Sequence, residues 1–422
     1  MNAEKQVRPR VEHGPRPTLS FEQRRRAKPP SHLADLDRQQ RREKLRELGI
    51  APYRADQLSV HYFDHLCVDP PAMSDIPTAQ REELGALLLP PLLEKVSEQR
   101  ADEGKTLKVL WRLFDGAVVE SVLMAYPDRA TLCLSSQAGC GMACPFCATG
   151  QAGLTRNLST AEIVEQLRSN MQLAREGALG EPVRVSNVVF MGMGEPMANY
   201  RAVRDAVHRM VDPSPEGFGL SARHITVSTV GLVPAIDQLA AEGIPVTLAV
   251  SLHAPDDGLR DDLIPVNSRF KVGELLDAAY RYYRSTGRRV SIEYALIKDM
   301  NDHAWRAELL AAELNRRGRG WAHVNPIPLN PTPGSIWTAS TKTATRRFVD
   351  TLLAAGISTT IRDTRGSDID GACGQLAAEV VDRDNVARRA KQAQEKVDAR
   401  LAEHREKPHD LADQLAGRTS EA

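Results

Sequence analysis

Three cysteines fall within eight residues, Cys140-Gly141-Met142-Ala143-Cys144-Pro145-Phe146-Cys147, spaced C-x3-C-x2-C. No other cysteine follows until Cys373. A closed zinc site asks for four ligands, usually supplied as two short pairs. An iron–sulfur cube held entirely by protein also asks for four. Three thiolates on one tight loop suit a [4Fe-4S] cube with one iron left open, the arrangement that separates reactive metal sites from structural ones. The competing arrangement is a zinc knuckle completed by a distant histidine such as His253 or His323, giving a nucleic-acid-binding protein without catalysis.

At 422 residues the chain is long enough for one large α/β domain and a smaller one. No apolar run is long enough to span a bilayer, so no membrane partner is expected. The start, Met1-Asn2-Ala3-Glu4-Lys5, lacks the apolar stretch of a signal peptide. Six cysteines, unevenly spread, do not make a disulfide scaffold. Together these point to a cytoplasmic protein in which thiols serve metal or sulfur chemistry. Basic and acidic residues balance at 55 each, so no global field attracts a polyanion. Residues 1–50, however, hold 13 Lys or Arg against 7 Asp or Glu, including Arg24-Arg25-Arg26. Such an arm can touch nucleic-acid phosphates, although charge alone favours a solvated tail.

Hydropathy patterning divides the chain into a disordered arm at 1–30, a helical domain at 31–100, a strand extension at 101–130, a barrel at 131–380 and a charged tail at 381–422. In the helical part, Leu45, Leu48, Leu58, Leu84, Leu87, Leu88, Leu92 and Leu93 recur at three- and four-residue steps. From Thr131 onward a strand–helix unit repeats, with strands expected near 132–135, 186–191, 225–229, 246–252, 290–297, 323–328 and 358–363. One helix opens on the capping box Ser159-Thr160-Ala161-Glu162. Alternating β and α elements with apolar strands predict a parallel sheet covered by helices. The fold class is therefore α/β, a partial (β/α)6 TIM-like barrel with a small helical N-terminal domain, its site at the C-terminal strand ends.

Several polar residues fall at those ends. Gly194 and Glu195 close the run Met191-Gly192-Met193-Gly194-Glu195-Pro196, where glycines let backbone approach a ligand. Ser228 ends the next strand, Ser251-Leu252-His253 the one after, and Asn330 follows 323–328. Each alone reads as an ordinary turn or strand-end residue; their shared position favours ligand contacts. Cys133 sits on the first strand, and Cys373 lies in Gly371-Ala372-Cys373-Gly374, where flanking glycines suit a thiol that must move. Glu120 is a strand carboxylate and Cys67 lies in an apolar helical context.

In combination, Asp128 to Cys140, Met193-Gly194-Glu195-Pro196, Ser251-Leu252-His253-Ala254-Pro255 and Arg365-Gly366-Ser367-Asp368-Ile369 with Ala372-Cys373-Gly374-Gln375-Leu376 resemble the RlmN/Cfr family. Its members are radical S-adenosylmethionine (SAM) enzymes that methylate adenine in RNA. The resemblance spans about residues 31–377, and Leu48-Gly49 with Tyr53-Arg54-Ala55-Asp56-Gln57-Leu58 resembles the RNA-binding domain of RlmN. Val230 departs from the small polar residue common there.

The resemblance implies a [4Fe-4S] cluster on Cys140, Cys144 and Cys147, with two SAM molecules per turnover. Gly194, Glu195, Ser228, Ser251, Leu252, His253 and Asn330 would bind SAM. It further implies that Cys373 is first methylated and then loses hydrogen to a 5′-deoxyadenosyl radical. The resulting carbon adds to adenine C2, Glu120 takes the C2 proton, and Cys133 releases the product by forming a transient disulfide with Cys373. Adenine C2 is an electron-poor carbon that cannot attack a methyl cation, which accounts for radical chemistry in a methyltransferase. Implied partners are 23S rRNA at the peptidyl-transferase centre, tRNA at the adenosine 3′ of the anticodon, and an electron donor such as flavodoxin or ferredoxin. A monomer is expected. Within the family, the alternative is a Cfr-type enzyme acting at adenine C8.

Overall fold

The computed structural model describes residues 28–330, 332, 335–362, 365, 366, 369–372, 374–376 and 395. Arg24–Arg26 of the basic arm, Ser367, Asp368, Cys373 and the tail from 381 onward, Glu395 apart, lie outside the described residues.

Helices α1 (Arg38–Glu47), α2 (Tyr53–Phe63) and α3 (Thr78–Leu88) bury Leu45, Leu58, Leu84 and Leu88 in the main core. The helical periodicity stops at Leu88, short of Leu92 and Leu93. Pro90-Pro91 removes two backbone donors and forces extended geometry on the residue before it. Leu93 instead opens β1 (Leu93–Ala101), a mostly exposed edge strand whose Glu94, Lys95, Glu98 and Arg100 discourage further pairing.

Strands β2 (Thr106–Leu113), β3 (Val118–Tyr126) and β4 (Arg129–Cys133) continue from β1 as an antiparallel meander. From β4 the sheet turns parallel through β7 (Val185–Phe190), β8 (Ile225–Thr229), β9 (Thr247–Ser251), β10 (Val290–Leu296) and β11 (Ala322–Pro328). These six parallel strands are the expected partial barrel. The seventh segment, expected at 358–363, forms only an isolated bridge from Thr359 to Val324. A separate two-stranded ribbon, β5 (Gln137–Gly139) with β6 (Leu154–Asn157), brackets the cysteine loop and was not expected from hydropathy.

Behind the sheet lie α5 (Thr160–Arg175), α6 (Tyr200–Val211), α7 (Val233–Glu242), α9 (Val272–Thr286), α10 (Ala304–Asn315) and α11 (Lys342–Ala354). The short helices α4 (Ala148–Ala152) and α8 (Asp257–Leu263) sit at the upper rim. The capping box at Ser159 forms as expected: Ser159 Oγ accepts from Glu162 N, and Glu162 Oε2 accepts from Ser159 N.

Polar contacts fix the helical layer to the barrel. Tyr62 donates to Glu165 on α5 at 2.7 Å, and Arg168 pairs with the same carboxylate at 2.7 Å. Buried Arg41 donates to the carbonyls of Pro215 and Glu216 and lies over the Phe63 ring. Among the described residues no helix is long and apolar enough to cross a membrane.

Candidate active site

Five of the six parallel strands, β7 to β11, deliver their C-terminal ends to one cavity of about 1070 Å³, part of it open to solvent. Met191, Ser228, Ser251, Glu293 and Ile327 enter from β7 to β11 or just beyond them, and Cys140, Cys144 and Cys147 from the loop after β5.

Local backbone geometry explains how the cysteine loop is held. The ribbon continues past Gly139, as Cys140 N donates to Gly153 O at 2.9 Å. On the other side α4 starts immediately after Cys147, and Gln151 Nε2 donates to Pro145 O. Buried on both flanks, the thiols of Cys140 and Cys144 have their acidity suppressed. Burial, with smaller effects from neighbouring thiols and Glu195, pushes Cys140 up to about 12 and Cys144 well above the ordinary thiol range. Thiolates here need cationic compensation, which iron would supply directly.

Among the described residues no three His, Cys, Asp or Glu side chains converge on one metal-ion position. The donors of a cube bind three different irons, so three separated thiols lining a shared cavity fit a cluster. Phe146, Met142 and Ile264 form an apolar wall around them.

The glycines expected at the β7 end are sterically required. A Cβ at Gly192 would come within 2.5 Å of Leu134 O, and one at Gly194, at φ +102°, within 2.5 Å of Gln137 Cβ. Glu195 is buried, and its carboxylate accepts backbone hydrogens from Met197 (3.0 Å) and Val230 (2.9 Å). Burial raises its pKa to about 7. It thereby ties the ends of β7 and β8 together at the cavity wall, with Val230 contributing its backbone.

His253 lies in the left-handed region at φ +59°. Its Nδ1 accepts from Ala295 N at 2.9 Å, and its ring stands edge-on to Phe146. Burial, with Arg260 nearby, lowers its pKa to about 3, so the ring is neutral and carries its proton on Nε2. Gly194, Glu195, Ser228, Ser251, His253 and Asn330 all line the cavity. Leu252 does not. It is fully buried in the core, with its backbone N–H given to Glu293 O and its carbonyl accepting from Arg260.

A second cavity, of about 520 Å³, adjoins the first and shares Met191, Ile327, Asn330, Arg362 and Leu376 as walls. Cys133 lines this second space together with Ala372. The flanks of Cys373 therefore bridge the two cavities, Ala372 facing the second and Gly374 the first. That segment is pinned to the cysteine loop's helix: Ala148 N donates to Gly374 O at 2.8 Å and Thr149 Oγ1 to Leu376 O at 2.5 Å. Glu120 is buried on β3, 3.4 Å from Lys108 Nζ. Strand alternation puts it on the same face as Val122 and Met124, which line the second cavity. Val122 is the register partner of Cys133. Cys67 is half-buried outside both cavities, and no disulfide joins the described cysteines.

The Radical SAM superfamily profile matches residues 134–310. A protein of Kocuria rhizophila named "Probable dual-specificity RNA methyltransferase RlmN" is 63% identical over 376 residues, covering 87% of this chain and 98% of that one. The chain belongs to the RlmN family. A like-named RlmN protein of Thermobifida fusca is 63% identical over 361 residues, covering 85% of this chain and 98% of its own length. A crystallised radical SAM methyltransferase from Sphaerobacter thermophilus superposes with a TM-score of 0.79 at 46% identity, covering 83% of this chain and all of that one. As an RlmN-family radical SAM methyltransferase the chain uses a [4Fe-4S] cluster and SAM, and the thiol-lined cavity described above is where they fit.

Some residues of this RlmN site carry no visible sequence signal. Arg260, within Asp-Gly-Leu-Arg-Asp-Asp, resembles a solvated charge run. Its guanidinium is buried beneath the cavity and donates to the carbonyls of Val230, Ser251 and Leu252. Glu293 reads as a mid-strand carboxylate, yet it lines the cavity, accepts from Ser291 and Asn325, and pairs with Arg362 at 3.4 Å.

Proposed function

We propose that this protein methylates C2 of adenine in 23S rRNA and in tRNA, with Cys373 as the methyl carrier, Glu120 as the proton acceptor and Cys133 as the resolving thiol. The observation that carries the reading is the shared wall of the two cavities. Gly374 lines the cysteine-loop cavity and Ala372 lines the space that holds Cys133, so the residues flanking Cys373 belong to the two spaces a methyl carrier must serve.

SAM supplies a methyl group to the Cys373 sulfur by polar displacement and, with the cluster, the one-electron chemistry that opens a methyl C–H bond. The remaining work falls to protein groups. Cys373 presents the activated carbon to adenine C2 and becomes joined to the base through a thioether. Glu120, on the β3 face that lines the second cavity, accepts the C2 proton while the radical adduct returns one electron to the carrier that supplied it, which together restore the aromatic ring, and Lys108 beside Glu120 stabilises the carboxylate before transfer. The Cys133 thiolate then attacks the Cys373 sulfur. A sulfur–sulfur bond forms, the sulfur–carbon bond breaks, and its electron pair stays with the methylene carbon, which takes a proton to become the product methyl group. Gly194, Glu195, Ser228, Ser251, His253 and Asn330 hold SAM, with Leu252 contributing through its backbone.

An unpaired base must leave its stack to enter this space. The helical layer of α1–α3 and the basic arm serve as the RNA-gripping parts, and a flavodoxin or ferredoxin supplies electrons. The protein acts as a cytoplasmic monomer. Nucleoside mass spectrometry on rRNA and tRNA from a deletion strain tests the assignment. Loss of 2-methyladenosine from both RNAs is expected, restored by the wild-type gene and not by Cys373→Ala. Loss of 8-methyladenosine instead would move the enzyme to the Cfr-type reaction.

A further inference from the structure

The hairpin joining β3 to β4 is closed by Tyr126 and Arg129, which are register partners across a two-residue turn of Pro127 and Asp128. The Tyr126 ring has a guanidinium at each of two contacts: Arg129 at 4.9 Å and Arg365 at 4.5 Å from its centroid. Arg365 is oriented by donation from its Nη1 to Ala125 O at 3.0 Å. Tyr126 and Arg365 both line the second cavity, the one that holds Cys133. Two cations on one aromatic ring repel each other, so their attraction to the ring must offset that repulsion. The acidic group beside them is Asp128, 2.9 Å from Arg129 and with its side chain 73% exposed. An ion pair so exposed contributes little and yields readily to another anion.

The face of β3 that carries Glu120, Val122 and Met124 ends at Tyr126. Six residues of strand separate Glu120 from the stack, ~20 Å at ~3.3 Å per residue. A group bound at the stack therefore lies beyond the reacting base but on the same lined path. Guanidinium planes and a tyrosine ring together match what an unstacked RNA strand offers, phosphates for the arginines and a base face for the ring.

We propose that Arg129, Tyr126 and Arg365 form a subsite that grips the RNA strand a few nucleotides from the target adenosine, through a backbone phosphate and a stacked base. The proposal rests on the RNA-methylating reading above. These are positioning residues, since they lie away from the bonds that change.

Cluster-loaded full-length protein is titrated with a tRNA transcript carrying adenosine 3′ of its anticodon, across a salt series, alongside steady-state methylation. Arg129→Gln is expected to reduce the slope of log affinity against log salt by about 0.7 to 0.9, the value of one lost phosphate contact. Tyr126→Ala should weaken binding roughly 5- to 150-fold, the range for one lost base–aromatic stack, with Tyr126→Phe restoring it. In both cases the change falls on KM for RNA rather than on kcat. Iron content and melting temperature of each variant report whether the fold is intact, and the Phe variant keeps the ring in place if the Ala variant unfolds. Unchanged slope in Arg129→Gln, with Tyr126→Phe and Tyr126→Ala both binding as wild type does, overturns the subsite alone. A wild-type protein that neither binds nor methylates the transcript overturns the subsite and the functional reading together.

Discussion

Cys144→Ala is expected to empty the iron–sulfur site and abolish methylation completely. Three ligands leave no redundancy in a cube whose fourth iron must stay open. No described cysteine stands ready to substitute, because Cys133 lines the neighbouring cavity and Cys67 lies outside both. The fold itself should survive. Cys144 is buried in the smaller apolar cluster with Met142, Phe146 and Ile264, and exchanging its thiol for hydrogen costs about 1 kcal/mol, typical of a single substitution. Iron analysis after anaerobic reconstitution, with melting temperature measured on the same sample, separates cofactor loss from unfolding. Full iron content with normal turnover in Cys144→Ala would sink the assignment of the loop as cluster ligand. Cys140→Ala and Cys147→Ala should behave alike.

Cys133→Ala should have a different and equally large effect: chemistry begins and does not finish. If Cys133 only packs against Val122 and Leu132, its removal costs some stability through a small cavity and leaves turnover intact. If it resolves the intermediate, the variant still joins Cys373 to adenine and then stalls, with at most one RNA consumed per chain. A gel shift that withstands denaturant and collapses on nuclease treatment would report the adduct. Multiple turnovers without any adduct would remove the resolving role and return Cys133 to the core.

Much of this architecture was legible in the sequence because period and spacing each carry physical information. The β/α alternation from Thr131 gave the six parallel strands and put Ser228, Ser251, His253 and Asn330 at one end, where they do line one cavity. What hydropathy missed was set by tertiary context. The ribbon of β5 and β6 is too short for periodicity, although it clamps the cysteine loop. Leu252 sits between two cavity-lining residues, yet on a strand end its side chain faces the opposite way, into the core. Arg260 and Glu293 have the composition of surface residues, and only burial and partners reveal their roles. The adjoining cavity, lined by Cys133 and by Val122 and Met124 from the strand face that carries Glu120, arises where the antiparallel meander meets the parallel sheet. No local pattern encodes that meeting.

The central claim is that Cys373 carries the methyl group between SAM and RNA. Reconstituted protein incubated with methyl-deuterated SAM, reductant and no RNA, then digested, reports this directly by the mass of the Cys373 peptide. The account predicts one labelled methyl group on Cys373 and none on Cys133, with that label passing to adenine C2 when RNA is added. An unlabelled Cys373 peptide in protein that goes on to label RNA would contradict it.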